Sequence, residues 1–321
     1  MRILIATPAA PGTTHGNRIT AERYAGLLTG LGHVVEIVTE LASDAMLEFD
    51  LLIALHAGRS SAIVKLVADQ RPGCPVVVVM TGTDLHCDFS SDPRIEMSLR
   101  KANRIVLLEP EGVSQLPEWA SSKTQVVFQS ASSVADPPAL SDDLFEVTLI
   151  GHLRAEKDPF LVTRSLELLP KQSRIQVTHI GDALAGEYEQ RATEATERCA
   201  RYQWIGNRSY AETQRRLAGS HLALLTSIVE GAPSVISEAA VNNVAILTTR
   251  IPASIGLLGS GYPGLFDVGD AKGLAQALSL AESDPAFYKS LKESCQKVKW
   301  QFDPETERNS LRQMLNAMNL L

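Results

Sequence analysis

Short, continuously apolar segments alternate with segments of helical periodicity along the chain, and this alternation restricts the fold more than any other feature. Strands buried on both faces of a parallel sheet have such uninterrupted apolar runs. The alternation therefore predicts a doubly wound α/β sheet. In the first half, the predicted strands are Arg2–Thr7, HVVEIVTE at 33–40, LLIALHA at 51–57, VVVVM at 76–80, RIVLLE at 104–109 and QVVFQS at 125–130.

A second series of the same kind follows a break at 131–143, which is rich in Ser, Pro and Asp. Its predicted strands lie at 145–151, 174–181, 201–206, 221–227 and 244–249. We interpret the break as a linker between an N-terminal domain, 1–135, and a C-terminal domain, 143–302. The last segment, 303–321, is expected to form a helix that packs back on the N-terminal domain. The fold class predicted is α/β, with two Rossmann-like doubly wound domains facing a cleft.

Composition excludes several classes of function. The formal net charge of −7 argues against a general nucleic-acid binder. No apolar run approaches the roughly 18 residues of a membrane span, so no integral membrane segment is expected. The four cysteines are far apart and form no CxxC pair, which indicates reduced thiols in a cytoplasmic protein. The sequence does not set an oligomeric state.

Loops after strands should carry the ligand contacts, because ligands of such sheets bind at the carboxyl ends of the strands. His15, Gly16, Asn17 and Arg18 follow the first strand. Gly16 would let the backbone approach a donor ligand closely, and Arg18 adds a fixed charge. Neither a P-loop nor a GxGxxG dinucleotide motif is present. An ordinary strand–helix connection is the competing interpretation.

Polar residues also follow the third and fourth strands and are expected at the same edge of the N-terminal sheet. His56 and Arg59 follow the third strand, and Thr81-Gly82-Thr83-Asp84 follows the fourth. Small hydroxyls and a carboxylate are not needed there for packing, so they are candidates for ligand binding. A helix cap made by Thr83 or Asp84 is the alternative.

Two cations follow the first strand of the second series. Arg154 and Lys157 are three positions apart at a strand-to-helix turn. Together they could neutralise a diphosphate leaving group without a metal, Arg as a planar fork and Lys as a point charge. Gly181, Asn207 and Arg208 end the next two strands and could frame a nucleobase.

Two carboxylates bracket a predicted helix N-terminus in the stretch LLTSIVEGAPSVISEAAVNNVAIL. Glu230 precedes it and Glu238 lies in its early turns. Open N–H groups and the positive dipole end favour a phosphate there, and carboxylates suit hydroxyl groups. The combination suggests a sugar nucleotide, with the phosphate-facing backbone at Gly231, Ala232, Pro233 and Ser234. A paired-carboxylate glycosidase is possible in principle, but the phosphate-binding surroundings speak against hydrolysis.

The ordered combination of Arg154, Lys157, the Gly-Asp and Trp-Ile-Gly turns and Glu230-x7-Glu238 resembles the retaining GT-B glycosyltransferases of the sucrose-synthase-like family. The resemblance implies a GT-B fold and a catalytic group of Arg154, Lys157 and Glu230. It implies that Arg154 and Lys157 hold the donor diphosphate, that Glu230 contacts the transferred sugar and that Glu238 contacts the ribose.

A closer resemblance extends over most of the chain, in HGNR, LLIALHA, TGTDL, GHLRAEKDPF and RIPASIGLLGSGYPGLF. These segments are similar to the selenosugar synthases of selenoneine biosynthesis. The resemblance implies transfer of a sugar, typically N-acetylglucosamine from UDP-N-acetylglucosamine, to selenophosphate, which gives a selenosugar and UDP. No cofactor and no metal are then expected. The predicted acceptor pocket comprises His15, Asn17, Arg18, His56, Arg59, Thr81, Thr83 and Asp84.

Alternatives keep the same donor site. One is a conventional UDP-sugar-dependent glycosyltransferase with a hydroxyl acceptor, which would need a base or substrate assistance. A second, of another class, is a sugar-nucleotide binding module without turnover. A third is an epimerase of the same architecture. A Rossmann dehydrogenase is disfavoured, because neither half has the glycine fingerprint.

Overall fold

The chain divides into two compact units in a computed structural model that describes residues 1–13, 15–42, 48–82, 84–85 and 92–321. The first unit comprises Met1–Gln129 together with Pro304–Leu321, and the second comprises Ser130–Asp303. Within the described ranges, no helix has both the length and the apolar character needed to cross a membrane.

The first unit is built on a six-stranded parallel sheet with the order β2-β1-β3-β4-β5-β6. All residues of β3 and β4 are buried, as expected for central strands covered on both faces. The edge strand β2 is partly exposed. The strands are β1 Arg2–Ala6, β2 Val34–Val38, β3 Leu51–Leu55, β4 Val76–Met80, β5 Arg104–Leu107 and β6 Thr124–Val126.

Helices of the first unit pack on this sheet through apolar residues at helical spacing, such as Ile63, Val64 and Val67 of α2, which lie in the core. The helices are α1 Gly16–Gly30, α2 Ser61–Gln70, α3 Pro93–Lys101, α4 Glu118–Ser121 and the C-terminal α12 Pro304–Ala317. A 3-10 turn at Glu111–Gln115 follows β5.

The C-terminal helix α12 is held to the first unit by polar contacts as well as by Leu311, Met314 and Leu315 in the core. Arg23 on α1 donates from Nε to both carboxylate oxygens of the fully buried Glu307, at 3.1 and 3.0 Å. Gln125 donates to the Ser310 carbonyl at 3.1 Å. The chain therefore returns to its first domain at the end.

The second unit repeats the architecture with the strand order β12-β11-β10-β7-β8-β9, again all parallel. Its strands are β7 Phe145–Ile150, β8 Ile175–Ile180, β9 Tyr202–Trp204, β10 Leu222–Leu225, β11 Ala245–Thr249 and β12 Leu265–Phe266. Its helices are α5 Leu161–Leu166, α6 Gly186–Arg198, α7 Tyr210–Ala218, α8 Ser234–Val241, α9 Pro252–Leu258, α10 Ala271–Ser283 and α11 Pro285–Val298.

The strand orders set where ligands can bind. After β7 the chain builds β8 and β9 on one side and then crosses to β10 on the other. The loops after β7 and β10 therefore adjoin at a topological switch point, and ligands of such sheets bind at this place on the carboxyl edge. The same switch lies between β1 and β3 in the first unit.

The apolar runs correctly located every strand except β12, which is only two residues long. The predicted strand at 125–130 is shorter and earlier, at Thr124–Val126. Helices α3, α4 and α9 were not predicted. The late glycine-rich segment 256–264 begins in α9 and buries Tyr262, whose hydroxyl donates to the Ile246 carbonyl at 2.8 Å.

Candidate functional site

The switch point of the second sheet brings Lys157 and Glu230 into contact. Lys157 closes the 3-10 turn Ala155–Lys157 after β7, and Glu230 lies in the loop after β10. Lys157 Nζ forms a short ion pair with Glu230 Oε1. Ser227, which is buried, donates from Oγ to the same carboxylate oxygen at 2.6 Å. Two residues that the sequence separates by more than seventy positions therefore share one site.

Hydrogen bonds to backbone carbonyls tie the two loops together independently of this ion pair. Thr226 donates from Oγ1 to the Lys157 carbonyl at 2.8 Å, and the Ile228 amide donates to the Glu156 carbonyl at 2.8 Å. Thr249 at the end of β11 donates to the Ser227 carbonyl at 2.5 Å. The ammonium and carboxylate groups are thus held near each other by the frame of the loops.

Arg154, the other predicted diphosphate ligand, lies at the entrance to the same 3-10 turn. Its Nε is 3.8 Å from a Glu156 carboxylate oxygen, beyond hydrogen-bond distance. That Nε is buried and has no hydrogen-bond partner among the residues that the structure describes. A buried N–H without an acceptor is costly, so an anionic ligand would relieve it.

The loops after β7 and β8 meet at two glycines. A Cβ atom on Gly181 would lie 2.1 Å from the Gly151 carbonyl oxygen, which no side chain can tolerate. Trp204 donates from Nε1 to the Gly181 carbonyl at 2.8 Å. Gly181, predicted to bind the donor, is therefore required for the close packing of two backbone segments.

His179 contacts the Gly151 carbonyl from strand β8. This residue was not identified from the sequence. It is buried in β8, with Nε2 at 3.0 Å from the Gly151 carbonyl and Nδ1 at 2.8 Å from the Tyr202 hydroxyl. Since a carbonyl only accepts, Nε2 carries the proton and Nδ1 accepts from Tyr202. Burial lowers the pKa of His179 to about 4, so the ring is neutral near pH 7. A polar residue within an apolar strand was the available signal.

The residues predicted to face a phosphate with their backbone lie at the start of α8. Pro233 is its N-cap, and Gly231 and Pro233 are buried while Ala232 and Ser234 are half-buried. Glu238 lies in the second turn with its side chain nearly covered, and its carbonyl accepts from Asn242 Nδ2 at 2.8 Å. Contact of Glu238 with a ribose stays a prediction.

Asn207 and Arg208 are exposed after β9, and Arg208 donates to the Asn207 carbonyl at 2.8 Å. Arg208 also lies along an open cavity of about 440 Å³ between α7 and the 138–139 segment. In the structure, this guanidinium is therefore turned back toward its own loop.

In the first unit, the segment after β1 forms the start of α1. His15 is the N-cap, followed by Gly16, Asn17 and Arg18 in the first turn. Arg18 is mostly buried and pairs through Nε with Glu22 Oε1 at 2.6 Å, so its charge is already partnered. A Cβ on Gly16 would meet no atom within 4 Å, and the space beside it is open.

His56 follows β3 with a left-handed backbone, φ 67°. Its Nδ1 accepts a hydrogen bond from the Arg59 amide at 3.2 Å, so the ring proton is on Nε2. Burial lowers the pKa of His56, while the nearby Asp84 carboxylate acts in the opposite direction. Nδ1 lies 3.8 Å from Asp84 Oδ2 without a hydrogen bond. Arg59 itself is exposed.

Asp84 was predicted to contact the acceptor substrate, but its side chain is fully buried. Oδ2 accepts from the Ala57 amide at 2.8 Å, and Oδ1 accepts from the amides of Thr81 and Gly82 at 3.2 and 2.9 Å. The carboxylate organises the loops after β3 and β4 from inside. Thr81 Oγ1 is buried with no hydrogen-bond partner in the described part of the chain. Thr83 lies outside the described residues.

Glu109, after β5, is a further buried carboxyl that the sequence did not reveal. It accepts from the amides of Glu111 and Gly112 at 2.6 and 2.8 Å and so caps the 3-10 turn. Burial raises the pKa of Glu109 to about 7, and the two amides act against that rise. A Cβ on Gly112 would lie 2.7 Å from Leu85, so this turn packs against the residue after Asp84.

Metal binding has no obvious donor set, since no group of three or more His, Cys, Asp or Glu side chains suited to an ion occurs within the described ranges.

A family model described as glycosyl transferases group 1 matches residues 135–298, just over half of the chain and most of the second unit. Among curated proteins, no significant match was found.

Solved structures match both units together. HepE of Anabaena, in complex with UDP and glucose, has a TM-score of 0.78 at 17% sequence identity, over 99% of this chain and 100% of that chain. Sucrose-phosphate synthase of Thermosynechococcus elongatus has a TM-score of 0.79 at 15% identity, over 99% of each chain. A glycosyltransferase of Rickettsia africae has a TM-score of 0.74 at 15% identity, over 99% of this chain and 98% of that chain. The predicted GT-B fold class is confirmed.

Proposed function

Because the chain belongs to the family of glycosyl transferases group 1, we propose that it transfers a sugar from a UDP-sugar to selenophosphate, forming a carbon–selenium bond. The donor sugar is N-acetylglucosamine, and the first products are UDP and a selenosugar that carries the phosphoryl group on selenium. Hydrolysis of the P–Se bond by water then gives the free selenosugar and phosphate. The observation that carries the transferase part is the contact of Lys157 with Glu230 at the switch point of the second sheet.

The donor half of the site has the charges that a departing diphosphate needs. As the bond from the sugar C1 to the diphosphate oxygen breaks, its electron pair leaves with UDP and negative charge grows there. Lys157, Arg154 and the N-terminus of α8 stabilise that charge, and Arg154 Nε, which has no hydrogen-bond acceptor in the described part of the chain, can donate to it. Glu230 contacts the sugar hydroxyls and Glu238 the ribose. HepE, which shares the fold, was solved with UDP-glucose, and this supports a UDP-sugar as the donor class.

The acceptor is assigned by resemblance to the selenosugar synthases, in the segments around His15–Arg18, Thr81–Asp84 and Gly151–Phe160. Selenophosphate offers an anionic selenium whose lone pair attacks C1, so no dedicated base is required. Its phosphoryl oxygens need hydrogen-bond donors and cations. In the first unit, the exposed Arg59 supplies a cation and His56 supplies its Nε2–H donor. The other proposed acceptor residues follow β1 or β4 at the same edge of the sheet, and they are His15, Asn17, Arg18 and Thr81.

Product identity tests this proposal. The protein is incubated with UDP-N-acetylglucosamine or UDP-glucose as the donor. Each donor is combined in separate reactions with selenophosphate, thiophosphate or a hydroxyl compound as the acceptor. The expected result is a product with the selenium isotope pattern, formed with release of UDP and absent with Lys157→Met. Transfer only to hydroxyl acceptors would show that a hydroxyl compound, and not selenophosphate, is the acceptor. UDP-sugar binding without any product would indicate a binding module, and an epimerised sugar without acceptor would indicate an epimerase.

A further inference from the structure

Lys157 is the residue that the proposed function assigns to the donor diphosphate, yet its ammonium is already bound to an anion. Its partner is the Glu230 carboxylate, and both side chains are mostly buried, with exposed fractions of 20% and 10%. An ammonium group has three N–H donors, but two anions that share it repel each other, and each then binds less strongly than one anion alone. Diphosphate binding and the ion pair therefore compete for one ammonium group.

We propose that the Glu230 carboxylate occupies the position at Lys157 that the donor diphosphate takes when it binds. Donor binding then exchanges the two anions at Lys157, while Ser227 keeps its hydrogen bond to Glu230. This inference rests on the proposed function. It adds Ser227 as a positioning residue for the sugar-binding carboxylate.

The frame around the pair allows such an exchange without movement of the backbone. Thr226 and Ile228 fix the 3-10 turn by hydrogen bonds to the carbonyls of Lys157 and Glu156, and neither bond involves the ion pair. The Lys157 stem lies over Gly151, since a Cβ there would be 3.5 Å from Lys157 Cδ. Only the end of the lysine side chain needs to turn toward a phosphate.

Ser227 is suited to retain the carboxylate after the exchange. Its Oγ donates to Glu230 Oε1 at 2.6 Å, the same oxygen that Lys157 contacts. The serine is buried, and its carbonyl accepts from Thr249 at 2.5 Å, so the hydroxyl is held in position by the end of β11. When Lys157 turns to the diphosphate, this hydrogen bond keeps Glu230 beside the sugar.

UDP affinity, measured by calorimetry on the full chain, tests the competition. Glu230→Gln removes the competing charge and is expected to bind UDP about three- to tenfold more tightly. Lys157→Met is expected to bind UDP roughly ten- to a hundredfold more weakly, as for a lost charge-assisted hydrogen bond. The double variant should match Lys157→Met. Glu293→Gln is the matched control, because Glu293 pairs with Lys289 on the exposed side of α11, and its UDP affinity should not change.

Each outcome separates the inference from the proposed function. Equal or weaker UDP binding by Glu230→Gln, while Lys157→Met is weak, overturns the competition but leaves the donor site intact. Tightening that persists without Lys157 also overturns it, since simple repulsion between Glu230 and phosphate would then be the cause. Absence of UDP binding by the unmodified protein overturns both.

The role of Ser227 has its own readout. Ser227→Ala keeps both charges, so UDP affinity should change less than twofold, while kcat with a UDP-sugar falls about tenfold at nearly constant KM. Ser227→Thr retains a hydroxyl and should restore part of kcat. A loss of UDP affinity equal to the loss of kcat would identify Ser227 as a general structural residue and overturn its positioning role.

Discussion

Gly181 and Gly151 meet backbone to backbone at the carboxyl edge of the second sheet, where a Cβ on Gly181 would lie 2.1 Å from the Gly151 carbonyl oxygen. This contact sets the path of the segment that leads from β7 to Arg154 and Lys157. Any side chain at Gly181 must push that segment away from β8.

Gly181→Ala should consequently displace the cations from their loop. We expect UDP affinity to fall at least about tenfold and the free energy of unfolding to fall by about 1–3 kcal/mol, as for an overpacked core position. Gly186→Ala is the control, because a Cβ at this first residue of α6 meets no atom within 4 Å. Calorimetry and urea unfolding measure both quantities, and equal behaviour of the two variants would contradict the prediction.

His179 should make the second unit sensitive to acid. Its pKa is about 4 in the folded protein, below the ordinary value of 6.5, because burial disfavours the charged ring. The unfolded chain therefore binds the proton first, and stability is lost as the pH falls from about 6.5 to about 4. The loss should reach about 3 kcal/mol across this window. Urea unfolding at several pH values should show it, and His179→Asn, which cannot titrate, should show a flatter profile despite lower stability at pH 7.

Glu109 should give the stability of the first unit a pH dependence of the opposite sign. Its folded pKa is about 7, above the ordinary value of 4.5, so the folded state binds the proton more tightly than the unfolded state. The contribution of Glu109 to stability is present below about pH 4.5 and is lost as the pH rises toward 7. Glu109→Gln should remove this part of the pH dependence. A variant profile that parallels the unmodified protein between pH 4.5 and 7.5 would contradict this.

Arg23 should be essential for attachment of the C-terminal helix. Its Nε binds both oxygens of the fully buried Glu307, so Arg23→Ala leaves a buried carboxylate without this partner. We expect a loss of about 3–5 kcal/mol in unfolding free energy. Lys289→Ala provides the comparison, because Lys289 pairs with Glu293 on the exposed side of α11 and its loss should cost less than about 1 kcal/mol. Similar losses in chemical denaturation would refute the distinction.

Asp84 should matter for stability and acceptor use, and not for UDP. Asp84→Ala leaves the amides of Ala57, Thr81 and Gly82 without their acceptor, which should cost roughly 2–4 kcal/mol and disturb the loop that carries His56. Its contacts lie within the first unit, so UDP affinity should stay within about twofold. Asp84→Asn, which keeps one acceptor oxygen, should be intermediate in unfolding experiments. A selective loss of UDP binding would argue against this division.

The sequence predicted most strands, because runs such as Leu51–Leu55 and Val76–Met80 are apolar on both faces and fit only a covered parallel strand. It missed α3, in which polar residues such as Arg94 and Arg100 outnumber the apolar residues that mark a buried face. It also missed β12, which has too few residues to show a period.

Candidate site residues were predicted where a charged side chain follows an apolar strand, as with Lys157 and Glu230, and their roles stay predictions. Their partners were not predicted, because the sequence contains no information on which loops meet until the strand order is known. Asp84 illustrates the difference. Its position after β4 suggested a ligand contact, and only the folded loop reveals that its oxygens are taken by three amides.

The sequence by itself determined the two parallel sheets, the loops that carry polar residues and the family resemblance, since these depend on local periodicity and residue type. Tertiary structure decided that β10 lies beside β7, which brings Glu230 into contact with Lys157. It also decided that Glu109 and His179 are buried and carry shifted pKa values. The physical reason is that ion pairs, buried hydrogen bonds and desolvation act between groups distant in sequence, and only the packed chain sets their separations.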